Sequence, residues 1–293
     1  MEPWGDIAAA IGSATAACFE FARAVPLRGG DINRTFRLEG SDGSSHFVKL
    51  NAADAVGMFA AEQAGLQEMA RTRTVRVPRP LVHGVSGARA FLVLEYLELR
   101  NSGNAHLLGE QLAAQHRTTA PEFGFALDNT LGSTPQPNAW NKDWIAFWRD
   151  WRLGYQLRLA AKNGYRGRLQ ELGARLQEAL PKFFQGYTPE PSLLHGDLWG
   201  GNHAYLPDGT PVIFDPAPYY GDREADLAMT ELFGGFGREF YSGYRAIYPL
   251  EAGYASRKTL YNLYHILNHA NLFGGGYAHQ AEGMMALLLA EAG

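Results

Sequence analysis

His195-Gly196-Asp197-Leu198-Trp199-Gly200-Gly201-Asn202 is the stretch on which the reading of this 293-residue chain turns. A carboxylate and a carboxamide stand five residues apart in a loop that holds three glycines. Eighteen residues after Asp197, Asp215 closes the apolar run Pro211-Val212-Ile213-Phe214. Pro207-Asp208-Gly209, flanked by apolar residues, predicts a hairpin that delivers Asp215 on its far strand. Phosphoryl transfer to a hydroxyl needs a base for the acceptor, an Asn on one metal ion and an Asp bridging the metals. Asp197, Asn202 and Asp215 match that set in type, order and spacing, and the loop and hairpin are expected to frame one pocket. Loop Asp and Asn residues usually make only turns and caps. What separates this loop from that case is bulky Leu198 and Trp199 set among glycines, with Asp215 at the required distance.

A phosphate-holding lysine is then required on a small-lobe strand, with a Glu on the next helix. Lys49 lies in His46-Phe47-Val48-Lys49-Leu50, and Glu62 follows thirteen residues later in Met58-Phe59-Ala60-Ala61-Glu62. A lone strand lysine is often a snorkelling surface residue. A Lys49–Glu62 ion pair accounts for both charges among apolar neighbours, with Glu68 as the rival facing solvent. Gly29, Gly30 and Asn33, in Gly29-Gly30-Asp31-Ile32-Asn33, are candidates to bring backbone N–H groups to the phosphates. Glu95 and Tyr96, at the end of the apolar run Ala90–Tyr96, complete the nucleotide-binding candidates. Neither a Walker A ending nor a GxGxxG fingerprint is present.

Composition sets the outer limits. Hydrophobic residues make up 46% and charged residues 19%, enough apolar material for a sizeable core. A formal charge of -4 argues against a nucleic-acid or anionic-membrane footprint. The single cysteine, Cys18, permits no intramolecular disulfide and fits a reducing compartment. Cys18 is expected to be a small buried hydrophobe, since it lies in the apolar run 14–21. With no signal-peptide pattern and no long uncharged apolar window, a cytoplasmic monomer is the default expectation.

The order of elements predicts an α+β protein with a protein-kinase-like two-lobe fold. An opening helix over 8–21 precedes strands at 25–27, 34–38 and 46–50, a helix at 54–70, an extended proline-bearing linker at 75–81 and a strand at 90–96. Helices then dominate, at 104–118, 142–161, 166–184, 224–233, 255–271 and 279–292, interrupted by a β-like island at 192–214. The division follows as an N-terminal lobe over 1–97 that holds nucleotide phosphates and a C-terminal lobe over 98–293 that carries the catalytic loop, metal and substrate sites.

The chain resembles the fructosamine kinase (ketosamine-3-kinase) family from about Leu27 to Leu267. The catalytic loop with Trp199 after Asp197-Leu198 is similar to that family's, as are the segment Asp215–Met229 with its sequel Thr230–Phe236, the stretch Asp128–Asn138 with Trp140 and Trp144, and Gln111–Arg117. The resemblance implies ATP- and Mg²⁺-dependent phosphorylation of the 3-hydroxyl of a ketosamine, a sugar adduct on an amine or protein, whose phosphorylated form then falls away. It also implies Asp197 as base, Asn202 and Asp215 on the metal, and Lys49 with Glu62 ordering the phosphates. Asp226 either braces the catalytic loop or is a helix-start carboxylate satisfied by the dipole. Trp199 either stacks on the sugar or anchors the loop in the core; His195 supports the loop. Asn129, Gln136 and Asn138 are substrate contacts or turn residues, and Tyr219 and Tyr220 are placed at the entrance. Some relatives carry a cysteine where this chain has Asp31, so a redox switch through that loop is not expected. Two alternatives stay open: a same-fold kinase acting on an aminoglycoside or amino alcohol, and a non-catalytic nucleotide-binding scaffold, against which the intact Lys49, Asp197, Asn202 and Asp215 argue.

Overall fold

The computed structural model describes residues 2–27 and 32–293, which form two compact units. The first runs to Asn104 and also contains Ala204–Pro216; the second comprises Ala105–His203 and Ala217–Gly293.

The first unit is a five-stranded antiparallel sheet in the order β1-β2-β3-β5-β4. Its strands are β1 (Phe21–Pro26), β2 (Arg34–Gly40), β3 (Ser45–Ala52), β4 (Pro80–Ser86) and β5 (Arg89–Glu95). Strand alternation sorts the side chains. Phe36, Leu38, Val48, Leu50, Phe91 and Val93 form one cluster with Ile7 and Ile11 of helix α1 (Trp4–Thr15). Lys49, between Val48 and Leu50, therefore belongs to the other face, paired across the sheet with Thr35 and Leu92. Helix α2 (Val56–Arg71) buries Phe59, Leu66 and Met69, and Glu62 falls on that same face by its three- and four-residue spacing.

The hairpin of β9 (His203–Tyr205) and β10 (Pro211–Ile213) belongs mainly to this unit, as Arg100 and Tyr205 exchange both backbone bonds and Arg76 bridges to Val212. Gly103 lets Tyr205 approach: a Cβ there would lie 2.3 Å from its ring.

Several sequence expectations change here. The opening helix ends at Thr15 and residues 21–26 are strand, so Cys18 lies beyond the helix and is exposed rather than buried. The expected linker ends in a strand, because Pro80 occupies its first position on the edge of the sheet, where a missing N–H costs nothing.

The second unit is mainly helical. Helix α3 (Ala105–His116) is followed by the short hairpin β6 (Asn129–Leu131) and β7 (Thr134–Gln136), then α4 (Trp144–Phe147), a π-helical stretch Trp148–Leu153, α5 (Gly154–Lys162) and α6 (Arg168–Ala179). Strands β8 (Ser192–Leu193) and β11 (Tyr220–Gly221) pair on either side of the catalytic loop in sequence, and α7 (Glu224–Leu232), α8 (Arg238–Ile247), α9 (Tyr254–Phe273) and α10 (Tyr277–Glu291) complete the unit. Helix α9 is buried on nearly every side, with Leu260, Tyr261, Leu263, Tyr264, Ile266 and Leu267 all inaccessible.

Helix α8 and the β6–β7 hairpin add to the predicted elements. Gly109 of α3 and Gly243 of α8 let these two helices touch at the backbone, since a Cβ at either would lie about 2 Å from a carbonyl oxygen of the other. No helix among the described residues is long and apolar enough to cross a membrane.

Candidate active site

In the first unit, Lys49 Nζ donates to Glu62 Oε1 at 2.6 Å and to Asp215 Oδ1 at 2.7 Å. The lysine is 4% exposed, whereas the Asp215 side chain is 44% exposed and can meet a ligand. Burial alone would lower the Lys49 pKa, but the carboxylates of Asp215 and Glu62 more than offset it and hold the ammonium above its ordinary value. For Glu62, desolvation outweighs the attraction of Lys49, and its pKa is raised. Asp215 has a φ of 57°, the left-handed region that non-glycine residues seldom occupy. Glu68, the rival partner, pairs with Arg71 instead.

In the second unit, the loop 195–202 is held from beneath by Asp226 on the first turn of α7. Its Oδ2 accepts from the His195 N–H at 2.7 Å and its Oδ1 from the Gly196 N–H at 2.8 Å. His116 Nε2 lies 3.1 Å from the same carboxylate, and its Nδ1 lies 2.8 Å from the Tyr244 hydroxyl. Burial would raise the Asp226 pKa, but His116, His195 and the backbone bonds bring it below the usual value. Asp226 is thus a loop brace and not merely a helix-start carboxylate.

Gly196 takes a φ of 82° and packs against the Ala217 carbonyl, where a Cβ would come to 2.0 Å. His195 is fully buried, and its Nδ1 lies 3.3 Å from the Asp197 N–H, in a supporting position. Asn202 Nδ2 donates to the Asp197 carbonyl at 2.8 Å and lies 3.4 Å from Asp197 Oδ2, which joins the two ends of the loop. Leu198 is the buried anchor. Trp199 is 41% exposed and lies across Gly201, where a Cβ would meet the indole at 2.3 Å, so the core reading of Trp199 is set aside.

The sequence candidates therefore gather in two groups, Lys49 with Glu62 and Asp215 in one unit, and His195, Asp197, Asn202 and Asp226 in the other. The remaining candidates fall elsewhere. Gly29, Gly30 and Asp31 lie outside the described residues. The Asn33 side chain accepts from Asn51 Nδ2 at 2.8 Å. Glu95 pairs with Arg76 at 2.7 Å, and Tyr96 lies under the Arg37 guanidinium at 5.0 Å.

Tyr219 is corrected: it is 3% exposed, stacked on Phe147 and covered by Arg152 at 4.0 Å, so its ring belongs to the core and not to an entrance. Tyr220 is likewise buried. Asn129, Gln136 and Asn138 are buried and bonded to one another, which places them inside the unit rather than on a substrate surface. His116 and Arg152 are the residues that sequence reasoning missed. Only the family-like stretch Gln111–Arg117 pointed to the first, and nothing local marked the second.

Among the described residues no three His, Cys, Asp or Glu side chains cluster as a metal site. Asp215 and Asn202 are hard oxygen donors. That fits Mg²⁺, which is commonly held by one or two protein oxygens together with nucleotide phosphates.

The comparisons with known proteins agree with this chemistry. The family model described as Fructosamine kinase matches residues 3–291. A protein of Synechocystis named probable ketoamine kinase is 48% identical over 97% of this chain and 96% of its own length. A chloroplastic protein-ribulosamine 3-kinase of Arabidopsis thaliana is 44% identical over 86% of this chain and 78% of its own. A solved structure from Haemophilus somnus, provisionally named a fructosamine-3-kinase, superposes with a TM-score of 0.89 at 29% identity, covering 97% of each chain. The fold is protein-kinase-like. With a matching model over nearly its whole length and relatives this similar, the chain belongs to the fructosamine kinase family.

Proposed function

We propose that this protein is an ATP- and Mg²⁺-dependent kinase that phosphorylates the 3-hydroxyl of ketosamines, free or on glycated proteins, as a monomer in the cytoplasm. The observation that carries the kinase reading is Lys49, held between Glu62 and Asp215 at 2.6 and 2.7 Å. A buried ammonium with two carboxylates is costly to assemble unless it serves a charge that binds there.

In this reading Lys49, oriented by Glu62, holds phosphate oxygens of ATP, and Asp215 and Asn202 hold the metal. The metal, when bound, neutralises charge on the phosphates. Asp197 accepts the proton of the 3-hydroxyl while that oxygen bonds to the γ-phosphorus and the bond to the bridging oxygen of ADP breaks. Asp226 contributes by fixing the backbone of His195 and Gly196, which leaves Asp197 little freedom to move between turnovers. Trp199, exposed beside Asp197, offers its indole face to the apolar C–H face of the sugar.

The test is an acceptor screen with ribulose-lysine, fructose-lysine, an aminoglycoside and choline, following ADP release and phosphate incorporation. Turnover is expected with a ketosamine, falling at least about a hundredfold in Asp197→Asn. No turnover of either ketosamine, or an undiminished Asp197→Asn, would sink the reading.

A further inference from the structure

We infer that Gly201 and His203 are positioning residues that seat the indole of Trp199 as a fixed platform for the acceptor. The inference rests on the kinase reading above and deepens it by naming what holds the proposed sugar contact in place.

The three glycines of the loop 195–202 have different reasons to be glycine. Gly196 takes a positive φ and approaches a carbonyl. Gly200 has nothing within 4 Å of the place its Cβ would occupy. Gly201 has a negative φ, which an alanine adopts freely. A Cβ at Gly201 would nevertheless lie 2.3 Å from both Cη2 and Cζ2 of Trp199 and 2.8 Å from Cε2. Those three distances put the Cβ over the face of the ring, not at its edge. The indole, and not the backbone conformation, therefore requires glycine at 201.

The main chain of Trp199 is held as well. Its N–H donates to the Asp197 carbonyl at 3.2 Å, and its carbonyl accepts from the Asn202 N–H at 3.0 Å and from the His203 ring. His203 is fixed in turn. Its ring centroid lies 4.3 Å from that of Phe236, which is buried and donates its own N–H to the Thr230 carbonyl at 3.1 Å.

With one face on Gly201, the indole owes its 41% exposure to the rest of its surface, so the opposite face is open to a ligand. A freely rotating side chain of this size would lose its rotamer freedom whenever an acceptor stacked on it, which weakens binding. Here Gly201 lets the ring settle onto the loop, and His203 fixes the main chain from which it projects. The ordering is then complete before the acceptor arrives. Trp199 stands two residues from Asp197, so the platform favours acceptors that carry a flat C–H face close to their reacting hydroxyl.

The test pairs Gly201→Ala with His203→Leu, which removes the bond to the Trp199 carbonyl but keeps an apolar contact for Phe236. In Gly201→Ala the clash falls on a side chain that can swing aside, so the variant should fold with a Tm close to that of the parent; His203→Leu decides the matter if it does not. With ribulose-lysine, each variant should raise the acceptor KM about three- to tenfold and leave the KM for ATP within about twofold of the parent. In a Trp199→Ala background, Gly201→Ala should add less than about twofold, because the group it displaces is gone. A second readout needs no acceptor. Acrylamide quenching of the Trp199 emission, taken as the difference between each protein and its Trp199→Phe counterpart, should rise in both variants as the covered ring face opens. Unchanged quenching, an equal rise in both KM values, or an undiminished effect of Gly201→Ala without the indole overturns the inference. If no ketosamine is turned over but the quenching rises, the kinase reading falls and the seating of Trp199 stands.

Discussion

Replacing Gly196 by alanine perturbs the site at the point where its two sequence segments touch. The new Cβ would sit 2.0 Å from the Ala217 oxygen, about 1.4 Å short of ordinary contact, and neither side is a flexible side chain that can swing away. The backbone must open by about that amount, and the Ala217 N–H to His195 carbonyl bond is the first to give. A misplacement near 1 Å costs on the order of a hundredfold in rate, so kcat should fall at least about a hundredfold. The left-handed conformation adds roughly 1–2 kcal/mol for a residue with a side chain, and the lost hydrogen bond about 1. Together these lower Tm by about 3–6 °C in a chain of this size. Steady-state kinetics with a ketosamine and a thermal melt give both numbers. A variant within threefold of the parent kcat and with an unchanged Tm would show that the close approach at Gly196 does not organise the loop.

Three further outcomes follow from other parts of the structure. Glu62→Gln keeps an acceptor for Lys49 but removes its charge; stability should fall by about 1–3 kcal/mol and the KM for ATP should rise about tenfold, and an unaltered KM in a folded variant would separate Glu62 from nucleotide binding. Trp199→Ala should raise the ketosamine KM about three- to tenfold and leave that of ATP alone, as read from initial rates with each substrate varied; equal effects on both would deny the indole a sugar contact. His265 is pushed by burial down to about 3, far below its ordinary 6.5. Its neutral form therefore supports the fold fully above pH 6.5, and this support is lost as pH falls from there toward 3. About 2 kcal/mol should go between about pH 6.5 and 4.5, and His265→Gln should flatten that part of the stability–pH curve measured by urea unfolding.

What was readable in the sequence was whatever is local or periodic. The loop 195–202 and the hairpin ending at Asp215 announce themselves because their chemistry requires particular residues at short, fixed distances. Lys49 and Glu62 were legible because strand alternation and helical spacing dictate which face each occupies. Strand β4 was hidden by Pro78 and Pro80, which read as a linker until the sheet edge accommodates the second of them. Helix α8 carries Gly243, a poor helix former by propensity, and only its contact with α3 explains that residue. The hairpin β6–β7 is three residues per strand, with Pro135 in one of them, too short for alternation to declare itself. Asn129 and Gln136 looked as much like turn residues as contacts, because their partners at Pro218 and Ala217 lie more than eighty positions away. Tyr219 was misplaced for the same reason: nearness in sequence to Asp215 did not reveal Phe147 and Arg152 closing over its ring.

The exposed position of Cys18 just past α1 has a practical consequence. With one thiol in the whole chain, a maleimide fluorophore attaches at a single defined place without any engineered substitution. That place is three residues before the first strand of the sheet that carries Lys49, so the dye becomes an optical probe of the unit proposed to receive ATP.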